Sequence, residues 1–292
     1  MDIRCGFCVP IFAAPGQWGF RTPNYDALDV AETMAIAVEA DALGYDSLWI
    51  ADHLQLGQEQ AIMEGWTTMA ALAGMTERAK LGLIHGANLL RHAAVTARAA
   101  MTLDQISNGR LIYFVAPNAG ESEQRAYGVA WPELESDRVA QMVEALELSI
   151  ALWTAQGPVD YAGDFYRLDG ASCNPEPVQK PHPPIWVGGE TKPARRRAGQ
   201  VGDGWYPVGN NPTSPYDTVA RFSKGLADMR GYAETADRDP SSIEIGLNVI
   251  WFRMDEIYEN EDGNRMPFTG SDAAIIDDIG AYKAAGPRRF VS

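Results

Sequence analysis

Short runs of β-branched and aromatic residues recur along the chain, each followed by a longer Ala-rich stretch with apolar positions three and four apart. This alternation of period two with period 3.6 predicts successive strand–helix units, the mark of a parallel α/β architecture. The first predicted strand, Ile3–Val9, passes through a Gly/Pro-rich loop into a helix over Ala27–Leu43, which Gly44 stops at the usual C-terminal position. Strands follow at Ser47–Ala51, Lys80–Ile84 and Arg110–Val115, with helices near Trp66–Met75, Ala93–Ile106 and Asp137–Trp153. In the helix Ala93–Ile106 the apolar residues Val95, Ala99, Leu103 and Ile106 recur at helical spacing. A polar loop, Ala116–Glu123, follows the fourth strand.

The alternation then breaks over Gly157–Pro184, a Pro- and Gly-dense stretch with strand-like pieces at Val159–Tyr161 and Phe165–Leu168, which reads as an inserted hairpin and loop. It resumes with strands Ile185–Val187, Gly204–Tyr206, Ile243–Phe252 and Arg288–Val291, and helices Pro193–Gln200, Tyr216–Glu234 and Ser271–Ala285. Eight parallel strands favour a closed (β/α)8 TIM barrel over a doubly wound sheet, and no GxGxxG follows the first strand. The expected fold is therefore α/β: one barrel domain over residues 1–292, an insertion between strands four and five, and the final helix of a complete barrel missing.

Composition narrows the partners. With 46% apolar and 22% charged residues the chain can bury a large core, and its formal net charge of −15 disfavours nucleic acid and anionic lipid. The one basic run, Arg195-Arg196-Arg197, reads as a solvated helix face. Neither a secretory signal nor an apolar run of the roughly 20 residues that span a bilayer is evident, so a cytoplasmic protein without membrane contact is expected. Cys5 and Cys8 form a CxxC within a strand-like run, where they would point to opposite faces and serve packing.

In an α/β barrel the chemistry lies on the loops that follow the strands. That filter selects Asp52 and His53, the segment His85-Gly86-Ala87-Asn88, Asn118 and Glu121, and the loops at Gly188-Gly189-Glu190 and Gly209. His53 can donate a proton or a hydrogen bond, and Asp52 can orient it or cap a helix. A carboxylic acid for proton transfer would come from Glu121 or Glu123. Backbone N–H groups at Gly188-Gly189, ahead of a helix, favour an anion. No HxH, HExxH, P-loop or GxSxG is present, so no metal site is expected.

The segment Gly44-Tyr45-Asp46-Ser47-Leu48-Trp49-Ile50-Ala51-Asp52-His53-Leu54 resembles the second-strand signature of luciferase-like flavin oxidoreductases. Later blocks agree in order: Arg91-His92, Thr102-Leu103-Asp104, Asn108-Gly109-Arg110-Leu111, Arg125-Ala126-Tyr127-Gly128, Lys180 to Gly189, and Gly202-Asp203-Gly204-Trp205. The resemblance implies a flavin or deazaflavin at the C-terminal strand ends, with Asp52 and His53 beside its ring and a non-prolyl cis peptide near Gly86 and Ala87. It further implies that Asn88 and Asn118 contact the ring or ribityl chain, and that Gly188, Gly189, Glu190 and Gly209 lie near the phosphate. The family's glycine-rich stretch after strand four is replaced here by Phe114-Val115-Ala116-Pro117-Asn118, which would narrow the pocket.

From this resemblance the leading expectation is an FMN-dependent monooxygenase that uses reduced flavin and oxygen on a small organic substrate, with a separate reductase supplying the flavin. The alternative is a coenzyme F420-dependent oxidoreductase. A metal-dependent barrel hydrolase and a non-catalytic flavin-binding barrel stand further off. A homodimer or higher homo-oligomer is expected, and Trp18, Phe20 and Trp66 suggest an apolar or aromatic partner.

Overall fold

A computed structural model describes residues 3–15, 26–117, 120–209, 211 and 214–291. Eight parallel strands close a barrel, the fold class expected from the alternation, with the hairpin inserted between the fourth and fifth. Two compact units divide the chain, one built from residues 11–13 and 27–184, the other from residues 1–10, 14–26 and 185–292.

In the first unit the strands Ser47–Ala51, Lys80–Ile84 and Leu111–Val115 pair in parallel. Small residues facing large ones set their spacing. Gly82 lies beside Trp49, and a Cβ there would fall 2.5 Å from the indole ring. Gly82→Ala therefore overpacks the barrel and should lower stability by about 1–3 kcal/mol in urea unfolding; an unchanged midpoint would refute this packing argument.

The motif residues of this unit hold elements together. Gly44 ends the helix Val30–Leu43 in the left-handed conformation at φ 94°, as the sequence predicts. Asn108 and Gly109 turn the chain at positive φ, and Arg110 then spends its five donors on the Ala73, Thr76, Ala79 and Ser107 carbonyls and the Thr76 hydroxyl. One guanidinium thus caps the end of the helix Gly65–Met75. The fully buried Asp104 accepts from the Val178 and Gln179 amides at 2.7 and 3.1 Å, tying the inserted segment to the helix Ala93–Ile106.

Of the four apolar positions at helical spacing in that helix only Leu103 is buried. Val95, Ala99 and Ile106 are exposed, while Ala93, Ala97, Ala100 and Met101 are buried. Small side chains are needed there because the Trp153 indole reaches the Ala97 carbonyl at 3.0 Å. The inserted hairpin pairs Val159–Ala162 with Arg167–Ala171, and its turn hangs from the Glu144 carboxylate, which accepts from the Asp164, Phe165 and Tyr166 amides. His182 donates to the Pro183 carbonyl and packs near Trp153.

The second unit carries the strands Arg4–Cys8, Ile185–Gly188, Gly204–Tyr206, Glu244–Asn248 and Arg289–Val291. Two more glycines admit rings, Gly204 for Trp186 and Gly246 for Tyr206. The fully buried Arg289 bonds Glu244 at 2.9 Å and lies over Trp186. Cys5 is exposed and Cys8 buried, on opposite faces as expected. The run read as one strand to Phe252 ends at Asn248, and Arg253–Met254 pairs separately with Thr269–Gly270. Val249 and Trp251 are apolar because their loop is buried, which strand-like composition alone does not distinguish.

The arginine run is not a solvated face. Arg195 bonds the Glu190 carbonyl and the Tyr216 hydroxyl, pairs with Asp228 and keeps only 15% side-chain exposure; of the three arginines only Arg196 is exposed. Among the described residues no helix is long and apolar enough to cross a membrane, and no cluster of His, Cys, Asp and Glu could hold a metal.

Candidate active site

The strand Ser47–Ala51 delivers Asp52 and His53 to consecutive positions, and extended backbone sends them opposite ways. Asp52 is buried at 1% exposure. Its carboxylate accepts a two-pronged bond from Arg91 at 2.9 and 3.1 Å, and the Ala87 N–H at 2.9 Å. Burial pushes the Asp52 pKa up, and Arg91 with the Ala87 amide opposes that rise. Arg91 also bonds Glu64, whose other oxygen caps the helix Gly65–Met75 at the Thr67 amide, and these two carboxylates hold the guanidinium protonated against its own burial. Asp52 therefore neither orients His53 nor caps a helix itself. It fixes the turn that follows the third strand.

That turn is His85-Gly86-Ala87-Asn88. The Ile84–His85 peptide is cis. A Cβ on Gly86 would lie 2.4 Å from the Phe114 carbonyl oxygen, so only glycine fits. The Ala116 N–H donates to the Asn88 side-chain oxygen at 3.2 Å, and His85 meets the Phe114 ring edge-on at 5.9 Å. Asp52, Arg91 and Tyr113 border a cavity of about 10 Å³, the space of one water.

His53 is oriented from elsewhere. Its Nδ1 lies 2.7 Å from the Glu123 Oε1. The segment read as a polar loop contains a short helix, Glu121–Ala126, whose third residue is Glu123. Glu123 is buried and accepts the Leu54, Gln55 and Gly120 amides at 2.6, 3.2 and 2.6 Å. Burial alone would raise its pKa, but those amides and His53 outweigh it and hold the carboxyl below the usual carboxylate range. An ionised carboxylate only accepts, so the proton on His53 sits at Nδ1 and its Nε2 is the nitrogen open to exchange. Glu121, the acid singled out from the sequence, is instead exposed and pairs with Arg125 at 2.9 Å. Asn118 lies outside the described residues, as do Trp18 and Phe20.

The second unit carries the remaining candidates. Gly189 takes φ 99° and leads into the helix Lys192–Val201, while Glu190 is buried at 4% exposure with its carboxylate accepting the Val208 N–H. Gly209 owes its identity to packing, since a Cβ would strike the Trp251 ring at 2.3 Å. Burial pushes the Glu190 pKa up to about 7, and the Val208 amide offsets only part of that. Because the folded value exceeds the ordinary glutamate value of 4.5, the contribution of Glu190 to stability is fully present below about pH 4.5 and is lost as pH rises toward 7. The difference corresponds to about 3 kcal/mol. Glu190→Gln keeps the acceptor for Val208 and should lose this dependence, so its unfolding free energy exceeds that of wild type at pH 8; parallel pH–stability curves would contradict the assignment.

A family model described as luciferase-like monooxygenase matches residues 9–257. The chain is 31% identical over 242 residues to an F420-dependent glucose-6-phosphate dehydrogenase of Nakamurella multipartita, covering 80% of this chain and 67% of that protein. It is 30% identical over 225 residues to a phthiodiolone/phenolphthiodiolone dimycocerosates ketoreductase of Mycobacterium tuberculosis, covering 70% of this chain and 56% of that one. The chain thus spans between about half and two thirds of these relatives' length. A solved F420-dependent secondary alcohol dehydrogenase with an F420-acetone adduct superposes with a TM-score of 0.76 at 20% identity, covering 100% of this chain and 93% of the other. The oxygenating constituent of 3,6-diketocamphane monooxygenase from Pseudomonas putida, in complex with FMN, gives 0.75 at 16% identity, covering 100% and 91%.

Proposed function

Because the chain belongs to the luciferase-like monooxygenase family, we propose that it is a flavin-type oxidoreductase that uses coenzyme F420 to exchange a hydride between a small secondary alcohol and its ketone. The observation that carries this reading is the bond between His53 Nδ1 and the buried Glu123 carboxylate. With the carboxylate holding the ring proton at Nδ1, Nε2 presents the lone pair that can accept an alcohol proton. The two curated relatives described above are by name a dehydrogenase and a ketoreductase, and hydride exchange is common to both.

The residues fit a flat ring. Gly86 and Ala87 present little side-chain bulk, and both are pinned in place, Gly86 against the Phe114 carbonyl and Ala87 by Asp52. A deazaflavin held there would supply the hydride acceptor. His53 Nε2 takes the hydroxyl proton as the carbon–hydrogen bond breaks, leaving the ketone, and returns it in the reverse direction. Glu123 holds the ring of His53 with its proton at Nδ1. Arg91 and Asp52 keep the turn Gly86–Asn88 rigid, which fixes where a ligand can rest.

A monooxygenase using reduced FMN from a separate reductase is the second reading, favoured by the description of the matched family. Anaerobic incubation with F420 and 2-propanol should bleach the F420 absorbance. Oxygen consumption with reduced FMN, together with no F420 binding, would sink the hydride reading in favour of oxygenation.

A further inference from the structure

Asn248 ends the strand Glu244–Asn248 with its main chain fully used. Its N–H donates to the Pro207 carbonyl at 3.0 Å, its own carbonyl accepts the Gly209 N–H at 3.5 Å, and it bridges Val208 in parallel. The side chain is another matter. Asn248 has 0% exposure, and neither its amide oxygen nor its amide nitrogen has a hydrogen-bond partner among the described residues. Burial strips the group of water and nothing among the described residues replaces that water. A carboxamide in this state has a donor and an acceptor side by side, both unused.

The place is as informative as the vacancy in its bonding. C-terminal strand ends are the face on which α/β barrels carry their ligand-binding groups. Around Asn248 the same unit sets Val208, whose amide is taken by the buried Glu190, and Gly209, kept small by the Trp251 ring. No cation is bonded to Glu190's carboxylate oxygens in the contacts described, and ionising it would repel an anion. A hydroxyl, which both donates and accepts, matches the two unused atoms of the Asn248 amide.

We propose that Asn248 recognises a hydroxyl group of a bound ligand, supplied by the polyol chain of a flavin-type cofactor or by an alcohol substrate. The choice of probes rests on the function proposed above; the role of the amide does not. The test compares wild type with Asn248→Leu, which keeps the shape and removes both polar atoms, by melting without ligand and by calorimetric titration with FMN, F420, ribitol and 2-propanol. The unliganded variant should melt about 2–4 °C higher, because an unpaired amide is gone, and the Kd of each probe that needs the amide should rise at least tenfold.

A weakened Kd for the flavins and ribitol assigns the cofactor chain; for 2-propanol alone, the substrate. The proposal is overturned if the unliganded variant melts below wild type, which would mean a buried water already satisfies the amide, or if every Kd is unchanged. Should Asn248→Leu fail to fold, Asn248→Ala decides by Kd alone. Wild type that binds ribitol or 2-propanol through Asn248 but neither flavin would refute the proposed function and leave Asn248 standing. Binding of none of the four refutes both.

Discussion

His53→Ala is expected to lower kcat for alcohol oxidation by about 10²–10⁴-fold, the usual worth of a positioned acid–base group. Cofactor affinity should change little, because the expected contact surface is the turn Gly86–Asn88, which Asp52 and Phe114 hold without His53. The loss should therefore appear in kcat and kcat/KM together. It should also shrink as pH rises, when hydroxide can take the proton that Nε2 no longer accepts. The measurement is a pH series of steady-state rates with a flavin titration beside it. Wild-type turnover in the variant would remove His53 from the chemistry, and a collapse of flavin binding alone would make it a packing residue.

The companion carboxylate shows where sequence reading stops. His53 and Glu123 are 70 positions apart, and no local pattern links them. The strands Ser47–Ala51 and Lys80–Ile84 and the helix Ala93–Ile106 are legible to the residue, the strands from their apolar runs and the helix from the Asn108-Gly109 that follows its end, although its apolar period points mostly to the exposed face. The helix Glu121–Ala126 is not. Six residues are under two turns, too few for a periodic signal, and its charged first turn looks solvated. One clue was present. Glu123 stands three residues after Gly120 and accepts its N–H at 2.6 Å, the carboxylate half of a capping box whose other half lacks the Ser or Thr that would have marked it.

Asp52 stands just past its strand, where the sequence puts it, but its partners do not follow from the sequence. A strand-end acid beside a histidine suggests a pair, yet successive residues on extended backbone diverge, and each found a partner from another element: Arg91 for Asp52, Glu123 for His53. Arg91 was legible only as part of a family block. Its role requires knowing that Glu64, the N-cap of the helix Gly65–Met75, reaches the same guanidinium. Similarly, Gly86 could be read as a close approach, but what approaches is the Phe114 carbonyl of a neighbouring strand, a fact of parallel register.

Glu123→Gln isolates the electrostatic part of this arrangement. Glutamine fills the same space and its one oxygen can still accept the Leu54 and Gln55 amides, while its NH2 takes the place of the oxygen shared by Gly120 and His53, so the helix Glu121–Ala126 should persist with a stability loss of about 1–3 kcal/mol. The bond to His53 changes in kind. A side-chain NH2 facing Nδ1 stabilises the tautomer with its proton on Nε2, which is then a donor where the reaction needs an acceptor. Activity should fall by about 10²–10⁴-fold, as for removal of His53 itself. The double variant His53→Ala/Glu123→Gln should be little slower than either alone, because the two act as one unit. Acid stability supplies a second, independent reading. The folded pKa of Glu123 lies below the ordinary glutamate value of 4.5, so its contribution is present above that pH and is lost as pH falls through the folded value. Wild type should therefore lose stability more steeply than the variant below pH 4.5. Additive kinetic losses in the double variant would show that Glu123 is only a peg for the loop Leu54–Gln55. A smaller, non-additive loss with the altered acid limb would establish it as the group that holds the proton on Nδ1.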